Sequence, residues 1–70
     1  MIKLGLLLQH IEFGRTVVLV EHMTEKDIVT FTLTYELEYT KEYEKVEPHL
    51  GREIMNISTT PAGGLYIEIL

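Results

Sequence analysis

Between Val29 and Tyr39 every second residue is apolar: Val29, Phe31, Leu33, Tyr35, Leu37 and Tyr39 alternate with Thr30, Thr32, Thr34, Glu36 and Glu38. Successive side chains of a strand point to opposite faces, so this alternation predicts a long strand with one dry face and one wet face. A second segment, Thr16 to Glu21, differs in kind. It contains Val17, Val18, Leu19 and Val20 in unbroken succession, and three of the four are β-branched. Such a run reads as a strand covered on both faces. The short polar stretch from His22 to Asp27 joins the two. The chain is therefore organised around a sheet.

The remaining elements follow from spacing and turn residues. Leu4, Leu7, Leu8 and Ile11 fall at i, i+3, i+4 and i+7, predicting a helix over Lys3 to Ile11 with one buried side. Gly5 weakens that helix by up to about 1 kcal/mol relative to alanine. Gly14 permits the turn into the first strand. Between Thr40 and Glu47, Tyr43 and Val46 continue to Leu50 with helical spacing, and Pro48 disfavours helix at Glu47, predicting one or two turns that stop there. Glu53 to Thr59 reads as a third strand, in which Ile54 and Ile57 share a face only if a bulge intervenes. Thr60, Pro61, Ala62, Gly63 and Gly64 form a strong turn signal. Leu65, Ile67 and Ile69 then alternate with Tyr66, Glu68 and Leu70 in a last strand that makes a hairpin with the third.

The order is thus helix, strand, strand, short helix, strand, strand, in a single domain spanning 1–70. The expected class is α+β: a short N-terminal helix packed on a small four-stranded, mainly antiparallel sheet or a partly open barrel. Because Val17 to Val20 asks for apolar cover on a second face, either the sheet curls or another subunit supplies that cover.

Size sharpens this point. Area scaling for 8.1 kDa gives a compact monomer of about 4,500 Å² and about 7,200 Å² buried on folding. If about 60% is apolar, the gain is roughly 105 kcal/mol, and ordering about 70 residues costs about the same. Zero cysteines remove disulfides and thiolate metal sites as reinforcement, which leaves very good packing or assembly, and of the two a homo-oligomer is the expectation. The formal net charge of −5 disfavours general nucleic-acid binding. The apolar run Leu4 to Leu8 is too short for a secretory core, and no run approaches the roughly 20 apolar residues that span a bilayer. The expected setting is the cytoplasm, without membrane attachment.

Catalytic signals are weak. His10, His22 and His49 sit in no recognised ligand spacing, the only serine, Ser58, falls inside a strand, and Gly63 and Gly64 lead into a strand rather than a helix. No enzyme activity, metal or cofactor is expected. Tyr35, Tyr39 and Tyr43 recur every four residues with Lys41, Lys45 and Arg52 close in sequence. Rings beside cations can stack a nucleobase and hold its phosphates. Tyr39, Tyr43, Arg15, Arg52 and Lys45 are therefore the candidate ligand-binding set. The competing reading places the tyrosines at a core edge or subunit interface. Glu36, Glu38, Glu42, Glu44 and Glu47 form either a solvated face or a dock for a basic partner.

The opening Leu4, Leu7, Leu8, Ile11 with its apolar strand, and the close Ile54, Ile57, Gly64, Leu65, Ile67, Ile69, together resemble short uncharacterised proteins of phages and prophages of gut Firmicutes. The resemblance implies an accessory protein that counters bacterial immunity in the host cytoplasm. Two modes of action are expected. One is an oligomeric sponge that sequesters a small anionic nucleotide signal between subunits; the other is a protein-binding inhibitor or adaptor that docks on a host defence protein through its acidic face or an edge strand.

Overall fold

The computed structural model describes residues 2–70. Its elements are α1 (Leu4–Leu8), β1 (Thr16–Glu21), β2 (Asp27–Thr32), a 3-10 turn (Leu37–Tyr39), α2 (Tyr43–Val46), a second 3-10 turn (Glu47–His49), β3 (Ile54–Thr59) and β4 (Leu65–Ile69). The class is α+β, as expected. The four strands lie in the order β2-β1-β4-β3. β1 pairs antiparallel with β2, β3 pairs antiparallel with β4, and the two central strands β1 and β4 run parallel. The sheet is open and does not close into a barrel.

The apolar pattern of the strands sorts cleanly by register. Val17 and Leu19 lie beside Leu65 and Ile67 of β4 and beside Phe31 and Val29 of β2. This face meets Leu4 and Leu8 of α1, Leu37 and Val46 of the β2–β3 connection, and Ile54 and Ile69, in one buried core. The bulge anticipated in β3 is present between Ile54 and Asn56, so Ile54 faces Ile69 and Ile57 faces Ile67. One extra residue resets the alternation and brings the two isoleucines to one face.

The second face carries Val18, Val20, Tyr66 and Glu68 among exposed Thr16, Thr30, Thr32, Asn56 and Ser58. The double cover expected for Val17 to Val20 is found on one face only: the helical layer covers Val17 and Leu19, while Val18 on the other face is half-buried. Val20 is fully buried yet stands outside the core cluster. Glu68, hydrogen-bonded by His22, lies beside it on β4.

Two predicted elements are shorter than expected. The strand starting at Asp27 ends at Thr32 instead of running to Tyr39. Leu33 still bonds Arg15 and Gly14 (Leu33 N to Arg15 O 2.8 Å, Gly14 N to Leu33 O 2.8 Å), but before Gly14 the chain belongs to α1 and its exit. No partner strand remains to continue the ladder, so the backbone turns, with Leu37 N bonded to Thr34 O and Tyr39 N to Glu36 O. Leu33 and Leu37 stay buried while Tyr35 and Tyr39 become 77% and 88% exposed. The alternation is real, but only its first half is strand.

The helix α1 also covers only Leu4–Leu8. Five residues are too few to be stable alone, and tertiary contacts hold them: Leu4 N donates to Arg52 O and Gly5 N to Leu50 O, both at 2.9 Å. Gly5 has a packing reason, since a Cβ there would lie 3.2 Å from Leu50 O. The connection before β3 behaves as read, with α2 ending at Val46 and Pro48 lying in the 3-10 turn that follows.

At Gly64 the constraint is tighter. A Cβ would come within 2.7 Å of the Thr16 carbonyl, while at Gly51 it would meet open space. Gly64→Ala is expected to lower stability by about 2 kcal/mol, and Gly51→Ala to raise it by up to about 1 kcal/mol. Urea denaturation of the two variants beside the wild type measures both.

Candidate functional site

The helical layer is thinner than the sheet it covers, and its elements leave a groove. The exit of α1 supplies Leu8, Gln9, Ile11, Glu12 and Phe13, the segment after β2 supplies Thr34, Tyr35, Leu37 and Glu38, and Gly5, Tyr43 and Leu50 complete the walls. The cavity measures about 700 Å³, within the range of clefts that take a small ligand or an anchoring side chain. Leu8 and Leu37 are buried at its base, and Ile11, Tyr43 and Leu50 are half-buried.

Two exposed rings mark its rim. Phe13 and Tyr35 stand 5.9 Å apart between centroids with their planes tilted by 56°, a favourable aromatic arrangement. The Gly14 N to Leu33 O bond brings the two segments together one residue after Phe13 and two before Tyr35. This pair arises because the alternation breaks after Leu33: Tyr35, read from sequence as part of a strand face, turns outward to meet Phe13. Phe13 itself was not singled out by the sequence, where its one signal is an aromatic beside a turn glycine.

The charged residues lining the groove are Glu12 and Glu38. Partial burial, then the negative fields of Glu47 and Glu38, push the Tyr43 hydroxyl above its ordinary value, so Tyr43 presents a neutral phenol. Arg15 stands 3.8 Å from Glu12, but both are exposed, and such surface pairs contribute little. The groove is therefore apolar and aromatic with a negative rim, suited to an apolar group flanked by cations.

The five residues expected to bind an anion do not converge within one protomer. Tyr43 lines the groove, Tyr39 projects from the 3-10 turn, and Lys45 is exposed on α2. Arg15 donates to Gly63 O at 2.9 Å, beside the starts of β1 and β4. Arg52 donates to Glu21 Oε1 at 3.1 Å, to His49 Nδ1 at 3.0 Å and to Leu70 O, at the far ends of the same strands. A six-residue strand separates the two arginines by roughly 17 Å.

Near Arg52, on the open sheet face, His22 Nδ1 donates to Glu68 Oε2 at 3.0 Å and Asn56 Nδ2 to Glu68 Oε1 at 3.4 Å. Among the described residues no three His, Asp or Glu side chains gather as a metal site would require. No helix among them is long and apolar enough to cross a membrane. Comparison with protein-family models, curated proteins and solved structures returns no match.

The His22 hydrogen bond, supported by Asn56, holds the Glu68 carboxyl below its ordinary value of 4.5. A carboxylate lowered by folding stabilises the protein above its unfolded value and loses that contribution as pH falls through the folded one. Wild-type protein is therefore expected to lose stability more steeply below pH 4.5 than Glu68→Gln. Urea midpoints across acid pH, compared between the two, test this.

Proposed function

We propose that the chain is a non-enzymatic binding protein whose groove receives an apolar, basic segment of a larger partner protein. The lining of the groove carries this reading: apolar and aromatic walls, with Glu12 and Glu38 as their charged residues. Beyond the rim, exposed Glu36, Glu42, Glu44 and Glu47 extend the negative field across the connection between β2 and β3. Complementary charge speeds encounter and sets orientation, and the Phe13 and Tyr35 rings supply apolar contact area. In the setting implied by the phage resemblance, the partner is a bacterial defence protein in the host cytoplasm and the action is occlusion of its working surface.

A nucleotide sponge is the second reading, and the high exposure of the Tyr39 ring supports it, since a stacked base or a second subunit covers such a ring. It requires assembly, because Arg15 and Arg52 lie at opposite ends of the sheet and both already bond within the protomer. Calorimetric titration with cyclic dinucleotides tests it: saturable heat favours the sponge, and none removes it.

The docking reading is tested with an amphipathic Leu/Lys peptide and its Leu/Glu counterpart. The Leu/Lys peptide is expected to bind, more weakly as salt rises, and Glu38→Lys is expected to lower its affinity about fivefold to tenfold. Tyr35→Ala is expected to weaken it as well. Equal binding of the two peptides, or indifference to Glu38→Lys, overturns the assignment.

A further inference from the structure

The two outer strands of the sheet differ in what they leave open. β3 is an end strand, and the N-terminal segment already pairs with the first part of its outer edge. Ile54 N donates to Ile2 O and Leu4 N to Arg52 O, both at 2.9 Å, around an antiparallel Lys3–Glu53 bridge. Beyond the bulge none of the described residues pairs with this edge. Thr60 N donates inward to Gly64 O at 2.9 Å, and backbone groups along a strand alternate in direction. Ser58 and Asn56 therefore face β4, and Ile57 and Thr59 turn their N–H and C=O groups outward.

We propose that this edge pairs with the same edge of a second copy, β3 against β3 in antiparallel sense about a two-fold axis at Ser58. Ile57 of each copy then lies opposite Thr59 of the other. Each of the four outward N–H and C=O groups gains a partner, as an isologous contact requires, and two four-stranded sheets become one of eight.

Three observations commit the edge to a second copy. First, Met55 to Thr60 carries no charge in a chain of net −5, so copies meet there without the repulsion their acidic faces impose. Second, no lysine, proline or inward charge protects these residues, the usual devices against edge pairing. Third, Ile57 lies on the core face opposite fully buried Ile67, yet is itself 44% exposed. A neighbouring strand continues the core over it. The β2 edge is likewise uncharged from Ile28 to Tyr35, but it lacks the third feature, an apolar side chain at an outward-facing position. Leu33 N donates inward to Arg15 O, so Thr30 and Thr32 are the outward residues there, both are polar, and charged Lys26 and Asp27 precede them.

Few backbone bonds and one apolar side chain per copy make a small interface, for which a Kd on the order of 100 µM is expected. Sedimentation equilibrium from about 10 µM to about 1 mM spans that value. The wild-type mass should rise from 8.1 kDa towards twice that. Ile57→Lys and Thr59→Lys should each hold it at the monomer value, while Thr30→Lys on the β2 edge should dimerise like wild type. Amide exchange should slow at Ile57 and Thr59 as concentration rises. Thr59 is exposed, so its variant serves even if Ile57→Lys does not fold. A wild-type monomer at the highest concentration, or dimers that survive both β3 substitutions or vanish with Thr30→Lys, overturns the proposal.

Discussion

The parallel pairing of β1 with β4 is the constraint on which the architecture depends. Each central strand also belongs to an antiparallel hairpin, β1 with β2 and β4 with β3, so the chain leaves the sheet at one edge and must re-enter at the other. A parallel neighbour cannot be reached by a tight turn. The connection from Leu33 to Glu53 makes that journey across the core face, and on the way it delivers Leu37 and Val46 to the core. The helical layer is thus a consequence of the strand order.

That connection is built from single turns because its residues serve several purposes at once. Leu37 and Val46 face inward while the glutamates between them remain in water, so one span buries a few apolar side chains and carries most of the negative charge. Short elements pack with gaps between them. The groove bounded by α1, the post-β2 turn and Leu50 is such a gap, and its acidic rim follows from the solvated side of the connection. Recognition and packing therefore draw on the same segment.

The single chain is compact. Its surface of 4780 Å² is close to the roughly 4,500 Å² expected for a monomer of this mass, and its radius of gyration of 11.0 Å matches the value of about 11 Å for a compact chain of this length. Among the described residues, one sheet face, the β2 edge and the part of the β3 edge beyond the bulge stay open. Mixed polar and apolar side chains make the open face compatible with water, with the hydrogen-bonded His22–Glu68 pair beside buried Val20. The β3 edge is left with outward backbone groups and an isoleucine that its own chain covers only in part.

The amino-acid order by itself determined the class, the strand segment Thr16–Glu21, a last strand starting at Leu65 and the turn at Gly63 and Gly64, and it made a bulge the condition for Ile54 and Ile57 to share a face. These are local matters of periodicity, β-branching and turn chemistry, which act between near neighbours in the chain. Tertiary structure alone decided where the second strand stops, because a ladder continues only while a partner strand lies beside it, and β1 has no counterpart for Tyr35 to Tyr39. It also decided that β1 and β4 run parallel, that Gly5 permits the close approach of Leu50, and that Arg15 and Arg52 occupy opposite ends of the sheet. The meeting of Phe13 with Tyr35 belongs to the same group. Such outcomes depend on which distant segments become neighbours, and spacing within one segment holds no record of that.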